Sequence, residues 1–309
     1  MRILLLLIIP LLITLGCSRP DSVNNTETES KTDSTIEFYQ SKLMEDPTSY
    51  SFHNKLAQAY IQKARETGNI DYYEKAKASL EISLKINPKN YNGLVYMAMA
   101  NASEHNFKEA LKYAKIAVEL NPDKSYGFGV LGDAYLELGQ TRNAEKAYEK
   151  MIELKPGLDS YSRLSNLRDK KGDIQGAVKA MEKAYEAGLK DSRTSKENLS
   201  WTQVMIGAKY LDQAQYDKAE EYFSTAVEIK PDYYLALEHL AEVKAIKGNF
   251  EEAISLYEKT LELAPKPEFY VALANVYKNQ GNNEKAQELY RLADTSDWDR
   301  THGGLEHTH

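Results

Sequence analysis

The sequence predicts an all-α fold built from about seven repeats, each a pair of helices joined by a turn. Three observations lead to this prediction: prolines recur every 34 residues, the apolar residues before them follow the helical period, and an alanine recurs at one place in every repeat. Pro88, Pro122 and Pro156 show the spacing, as do Pro231 and Pro265. Because proline cannot continue a helix, each of them marks the end of one.

Residues 1–16 predict an export signal that is not part of the fold. Residues 3–15 are nearly all apolar, but spanning a bilayer takes roughly 20 such residues, so the run fits the hydrophobic region of a signal peptide. Gly16 and Cys17 follow, and Cys17 is the single cysteine of the chain. The segment resembles a bacterial lipoprotein signal, which implies that Cys17 receives a lipid and becomes the new N terminus. The alternative is an ordinary signal peptide with an incidental cysteine.

The segments that flank the repeats are predicted from their composition. Residues 17–34 contain no aromatic side chain and one valine. Burial of so little apolar surface cannot offset the entropy lost on ordering, so we predict a flexible tether. Residues 35–46 predict a lone helix that caps the first repeat, because a terminal repeat would otherwise expose the face that its neighbours bury. Residues 295–309 are interpreted as a C-terminal tail.

Small residues recur where the two helices of a repeat cross, because a larger side chain would push the helices apart. On the second helix the residue is alanine in all seven copies: Ala76, Ala110, Ala144, Ala177, Ala219, Ala253 and Ala286. On the first helix the series is Ala57, Ala98, Gly132, Ser165, Gly207, Ala241 and Ala274. Many of the 22 tyrosines fall on the same lattice, so we interpret them as packing residues.

This pattern resembles the tetratricopeptide repeat, most clearly at Leu131-Gly132, Tyr135, Ala144 and Tyr148. The resemblance implies a right-handed superhelical solenoid. It places repeats 1–4 in residues 47–189 and repeats 5–7 in residues 201–294. Extra residues after a weak fourth repeat predict a linker or hinge at residues 190–200.

Composition and motifs argue against several functions. The chain carries 39 Lys+Arg against 46 Asp+Glu, whereas nucleic-acid binders normally carry a basic surplus. No phosphate-binding loop, nucleophile elbow or zinc-protease motif occurs, and the repeats leave no room for a catalytic domain. We therefore expect no enzyme activity, no cofactor and no metal site.

The histidines support the same expectation about metals. His302, His307 and His309 lie in the tail with Glu306 and could in principle ligate a metal, but tail histidines are more often solvated. The remaining three, His53, His105 and His239, stand alone on predicted helices and are interpreted as surface or packing residues.

The repeat resemblance implies that the first helices line a concave groove that binds a protein partner. Mapping that frame onto the chain gives a groove with eight acids and two lysines, so we expect the partner segment to be basic or polar. The predicted partner-binding residues are Tyr126, Asp133, Glu137, Asp169, Trp201, Asp212, Glu238, Glu242 and Asn275. Reversing the charge at Asp133, Glu137, Glu238 and Glu242 is expected to leave the fold intact. The groove residues can also be interpreted as ordinary solvated helix faces.

Together these observations predict a non-catalytic interaction scaffold or assembly adaptor. The predicted lipid at Cys17 would anchor it to a membrane of the bacterial cell envelope. Two other functions stay open at this stage: an accessory subunit that positions substrate for an envelope enzyme, and a protein that binds a glycan or small molecule.

Overall fold

A computed structural model describes residues 25–294 of the chain, with side chains from Lys31 onward. These residues form fifteen α-helices and no strand, which confirms the predicted all-α class. The helices are α1 (Asn25–Glu45), α2 (Tyr50–Thr67), α3 (Asp71–Ile86), α4 (Tyr91–Ser103), α5 (Phe107–Leu120), α6 (Ser125–Glu137), α7 (Thr141–Leu154), α8 (Leu158–Lys170), α9 (Ile174–Lys190), α10 (Lys196–Asp212), α11 (Tyr216–Ile229), α12 (Tyr234–Ile246), α13 (Phe250–Leu263), α14 (Pro267–Asn279) and α15 (Asn283–Leu292).

The described residues divide into two compact units, an N-terminal unit of residues 26–167 and a C-terminal unit of residues 168–294. The division therefore falls within α8 and not in residues 190–200, where the sequence predicts a linker. Within the C-terminal unit, α9 packs against α10. The five residues between α9 and α10 thus connect two helices of one unit.

Each unit contains a layer made of the first helices of its repeats. In the N-terminal unit α2 contacts α4 and α4 contacts α6, and in the C-terminal unit α10 contacts α12 and α12 contacts α14. Second helices pack against their own first helix and against the next one along the chain, as α3 does with α2 and α4, and α11 does with α10 and α12. We refer to the solvent-facing side of this layer as the first-helix face; it is where the sequence predicts the binding groove.

The alanine series is buried in the packed interior of the repeats, in agreement with its interpretation as a packing series. Six of the seven second-helix alanines are completely buried and Ala286 is 2% exposed. On the first helices Ala57, Ala98, Ala241 and Ala274 are also completely buried. Only a small side chain fits at these positions, because protein interiors are packed too densely to accept added side-chain volume.

Two repeats have glycine on the first helix, and there an aromatic ring occupies the space of the missing side chain. A Cβ atom at Gly132 would lie 2.3 Å from Tyr148 Cε1, and one at Gly207 would lie 2.6 Å from Phe223 Cε1. Both rings are completely buried. Glycine and ring are therefore complementary parts of one contact.

The turns inside the hairpins share a left-handed backbone conformation. Glycine supplies the positive φ in five of them, with Gly139 at 72° as an example. Non-glycine residues take this conformation at His105 (61°) and Ala214 (56°). Left-handed residues are common where a helix ends, so these seven turns fix the reversal of the chain within each repeat.

Helix α1 packs over the first repeat, where the sequence predicts a cap at residues 35–46. Ile36 is 8% exposed and belongs to the same apolar cluster as Leu56 of α2. The helix nevertheless begins at Asn25, inside the predicted tether of residues 17–34. An ion pair with α2 helps to order this part of α1, since the Asp33 carboxylate lies 2.8 Å from Lys63 Nζ.

Several predictions concern residues outside the described range. The signal peptide, Cys17, residues 17–24 and the tail of residues 295–309 all lie there. Across residues 25–294, none of the helices combines the length and the apolar character that crossing a membrane requires.

The candidate partner-binding face

The nine predicted partner-binding residues are all described, and they fall on both units. Three belong to the N-terminal unit and six to the C-terminal unit. Those of the N-terminal unit are Tyr126, Asp133 and Glu137; those of the C-terminal unit are Asp169, Trp201, Asp212, Glu238, Glu242 and Asn275.

Asp133 is tied into a buried polar cluster. Its carboxylate accepts hydrogen bonds from Arg163 Nε at 3.0 Å and from the Tyr148 hydroxyl at 2.9 Å. The Arg163 side chain is 1% exposed, and its Nη1 donates to the Asp159 carbonyl oxygen at 3.3 Å. The charge of Asp133 is therefore neutralised within the fold. Asp133 is thus not the freely exposed residue that the sequence predicts, and we now expect its reversal to destabilise the fold, because a lysine there would face a buried guanidinium.

The other two predicted residues of the N-terminal unit differ in exposure. Tyr126 is half-buried, its hydroxyl lies 3.2 Å from Met99 Sδ, and burial raises its pKa well above the usual value for tyrosine. Its ring is thus largely used for packing between neighbouring repeats. Glu137, at the end of α6, is exposed.

In the C-terminal unit, three predicted residues already have partners within the protein. Asp169 pairs with Lys209 Nζ at 2.7 Å. Trp201 is half-buried and packs against the apolar cluster around Phe223. Asn275 is exposed, and its Oδ1 accepts a hydrogen bond from the Tyr290 hydroxyl at 2.7 Å.

Four acids of this unit form what we call the acidic patch: the predicted residues Asp212, Glu238 and Glu242, together with Glu268 of α14. Asp212 and Glu268 are exposed, and the side chains of Glu238 and Glu242 are 19% and 43% exposed. Among the described residues, no lysine or arginine nitrogen lies within 4.0 Å of the Glu238 or Glu242 carboxylate. Burial raises the pKa of Glu238, as do the neighbouring carboxylates of Glu242 and Glu268. These acids are close enough to act on one another or on His239 electrostatically, which defines them as one patch.

His239 lies against the acidic patch, which contradicts the expectation that it stands alone. Its Nδ1 is 3.2 Å from Glu238 Oε2 and 3.6 Å from Glu242 Oε2. Burial lowers the pKa of His239, but the two carboxylates outweigh that effect and the pKa is raised. The Glu-His-x-x-Glu spacing, which puts three polar side chains on one helical turn, is a signal from which this cluster could have been found.

His53 fits its interpretation as a packing residue. Its side chain is buried, with Nδ1 3.2 Å from Ser79 Oγ and Nε2 3.1 Å from the Pro47 carbonyl oxygen. His105 is exposed and provides one of the left-handed turns.

A charge cluster that was not predicted from the sequence lies beside α12. Lys244, which stands where most repeats have tyrosine, pairs with Glu220 at 2.9 Å and with Glu252 at 2.5 Å. Lys247 pairs with the other oxygen of Glu220 at 2.6 Å and with Asp217 at 2.7 Å. Carboxylates from α11 and α13 thus replace the packing that an aromatic ring would supply.

Comparison with known proteins agrees with the repeat pattern. Two family models of the tetratricopeptide repeat match the chain. One matches residues 204–268, and the other matches residues 54–90, 128–157, 158–187 and 267–297. A 160-residue segment is 30% identical to the protein O-mannosyl-transferase TMTC1 of Homo sapiens; it covers 52% of this chain and 18% of that protein. The chain therefore spans less than a fifth of that transferase.

Two solved structures share the fold. The Cut9–Hcn1 hetero-tetramer of the APC/C has a TM-score of 0.60 at 15% identity, over 86% of this chain and 46% of that chain. PilW, described as a widely conserved type IV pilus biogenesis factor, has a TM-score of 0.55 at 17% identity, over 70% of this chain and 95% of that chain.

Proposed function

The chain belongs to the tetratricopeptide repeat family, and on that premise we propose that it is a non-catalytic scaffold whose C-terminal unit binds a basic or polar segment of a protein partner. Proteins of this family bind protein partners. The sequence assigns residues 47–294 to repeats, which is why we propose an interaction function in place of catalysis.

The observation that carries the proposal is the acidic patch. Two of its carboxylates have no lysine or arginine partner among the described residues, although the fold neutralises Asp133 and Asp169 in this way. Charge of one sign that no lysine or arginine neutralises attracts a ligand of the other sign, raises its rate of association and makes the complex sensitive to salt. A segment containing lysine or arginine is therefore the ligand that this face would favour.

We also propose that the protein is anchored by a lipid on Cys17 to a membrane of the bacterial cell envelope. The support is the short apolar run of residues 3–15 followed by Gly16 and the single cysteine. The description of PilW as a biogenesis factor supports an assembly role as a class, since the fold is shared.

The partner proposal is tested by charge reversal at the members of the patch other than Glu238, whose side chain is largely buried. The test variant carries Asp212→Lys, Glu242→Lys and Glu268→Lys. The matched control carries Glu221→Lys and Glu228→Lys, which are exposed and lie on the second helix α11. Both are compared with the parent chain in binding a set of synthetic peptides that differ only in having lysine, serine or glutamate at alternate positions.

The parent and the control are expected to bind the lysine peptides best, with affinity that falls as salt is added. The test variant is expected to lose that preference while its circular dichroism spectrum stays unchanged. Peptide binding that ignores the reversals, the peptide charge and the salt would refute the proposal and move the binding site away from the acidic patch.

A further inference from the structure

One turn of α12 brings together three side chains of the kind that bind metal ions, and we propose that Glu238, His239 and Glu242 form a binding site for a divalent transition-metal ion such as Zn²⁺. One potential ligand atom from each residue lies within 4.8 Å of the others. The inference goes beyond the proposed partner binding, because it concerns a ligand that this chain would hold by itself.

The spacing in sequence explains the geometry. Residues four apart on a helix are neighbours on its surface, which brings the Glu238 and Glu242 side chains to the same face. His239 lies three residues before Glu242, and its Nδ1 is 3.2 Å from one carboxylate and 3.6 Å from the other. A single rigid helical turn therefore presents one nitrogen and two oxygen ligands.

The imidazole ring of His239 is held in place by stacking on an aromatic ring of the neighbouring helix. It stacks on Phe223 of α11, with ring centroids 5.1 Å apart and an angle of 14° between the planes. Phe223 is completely buried, so the platform is part of the packed core. Contacts that orient a metal-binding histidine are an integral part of metal sites, because they fix the direction of the ligand atom.

A separate observation points to a missing ligand. His239 Nδ1 is buried and has no hydrogen-bond partner among the described residues. Buried polar atoms are nearly always paired, so an exception calls for an explanation. The nitrogen faces two carboxylates, and a bound cation would satisfy all three groups at once.

No lysine or arginine among the described residues pairs directly with the carboxylates of this cluster. Lys266 is the basic residue that acts on Glu238 electrostatically. Its Nζ lies 3.3 Å from the Tyr234 hydroxyl and 4.8 Å from the centre of that ring. Lys266 is thus engaged with tyrosine and does not pair directly with the carboxylates of the cluster.

The donor set indicates the class of ion. Imidazole nitrogen suits zinc, copper, iron and nickel, and carboxylate oxygens also bind zinc. Three protein ligands leave at least one coordination position of a tetrahedral Zn²⁺ open to water. Zn²⁺ is accordingly the ion to use as the probe.

The experiment uses the full chain with His302, His307 and His309 replaced by asparagine, because those tail histidines could bind Zn²⁺ independently. Isothermal titration with ZnCl₂ is expected to give one site per chain. Glu242→Gln keeps the shape of the side chain and removes its charge, and His239→Gln removes the nitrogen ligand. Each is expected to weaken Zn²⁺ binding at least about tenfold, as loss of a contact in a metal site commonly does.

The controls are Glu228→Gln and His105→Asn, which change an exposed acid and an exposed histidine away from the cluster. Both are expected to bind Zn²⁺ like the parent, and circular dichroism checks that every variant is folded. Absence of Zn²⁺ binding in the parent would overturn the proposal, as would binding that survives both Glu242→Gln and His239→Gln. Running the peptide assays of the acidic patch in the presence of a chelator separates the two proposals, so that failure of one does not decide the other.

Discussion

Asp133 and Arg163 form an ion pair in which the arginine is almost wholly buried, with Nε 3.0 Å from Oδ1. The two residues are 30 positions apart, so the pair joins neighbouring repeats of the N-terminal unit. Removing one partner of a buried pair leaves a charge without compensation, which typically costs about 3–5 kcal/mol.

The first prediction follows from this pair. Asp133→Asn is expected to lower the free energy of unfolding by about 3 kcal/mol, because the buried guanidinium of Arg163 loses its counter-charge. Asp123→Asn, an exposed aspartate in the same unit, should change it by no more than about 0.5 kcal/mol. Urea denaturation followed by circular dichroism measures both. Equal stability of the two variants would contradict the structural role of the pair.

The second prediction concerns the contact between Gly207 and Phe223. Gly207→Ala places a methyl group 2.6 Å from a buried ring carbon. Overpacking of this kind costs roughly 1–3 kcal/mol, which outweighs the roughly 1 kcal/mol that alanine gains in helix propensity. A lower melting temperature is expected.

Two further variants test whether the contact with Phe223 is the cause of the lower melting temperature. Gly157→Ala serves as the control, because no atom lies within 4 Å of a Cβ built there. Adding Phe223→Leu to Gly207→Ala should recover part of the loss, since the smaller side chain makes room for the methyl group. If the alanine at position 207 costs the same beside leucine as beside phenylalanine, the two positions are not in contact.

The third prediction is a pH dependence at Glu220. Hydrogen bonds from Lys247 and Lys244 lower its pKa below 4.5. A group whose pKa is lower in the folded state stabilises the fold above its unfolded pKa, and the contribution is lost as the pH falls through the folded value. Glu220→Gln should therefore reduce stability near pH 7, by about 0.5–1 kcal/mol for a pair of this exposure.

The difference between Glu220→Gln and the parent is expected to shrink as the pH is lowered below about 4.5, where the parent carboxylate becomes protonated. Glu221→Gln, at the exposed neighbouring position, is the control and should follow the parent throughout. Urea denaturation at a series of pH values gives the comparison. A constant difference across the range would exclude Glu220 ionisation as the cause.

The fourth prediction tests the lipid on Cys17. Cys17→Ser is expected to abolish metabolic labelling of the protein with a radioactive fatty acid and to release or misprocess the protein. The physical reason is that the thiol is the acceptor atom and the chain has no second cysteine. Labelling that persists in the serine variant would contradict the proposal that Cys17 carries the lipid.

The repeat frame could be predicted from sequence because it depends on residue size at fixed intervals. The alanine series is an example: Ala144 and Ala219 occupy equivalent positions, and both are completely buried. At Lys244 the repeat frame does not predict the structure. Its position predicts an aromatic residue, and the carboxylates that pair with it come from Glu220 and Glu252 on two other helices.

The candidate site was harder to predict because exposure and charge compensation depend on neighbouring repeats. Asp133 and Glu242 are both acids in the predicted groove, yet Arg163 neutralises the first and no lysine or arginine among the described residues pairs with the second. Plotting charges in the repeat frame, with residues about 30 apart placed side by side, would have revealed the Asp133–Arg163 pair. It would not have revealed that His239 stacks on Phe223, which depends on side-chain orientation.

The glycine–aromatic contacts also bear on how such arrays can change by recombination. Gly132 of α6 has its matching ring, Tyr148, on α7, whereas the equivalent positions of the preceding repeat are Ala98 of α4 and Ala114 of α5. A crossover between the two helices of a repeat would join α4 to α7 and press an alanine methyl group into a tyrosine ring. A crossover at the loop between repeats would keep each pair together. At this repeat the unit that can be exchanged without a clash is therefore the whole hairpin, whereas the last two repeats already combine Ala241 with Tyr257 and Ala274 with Tyr290 in one apolar cluster.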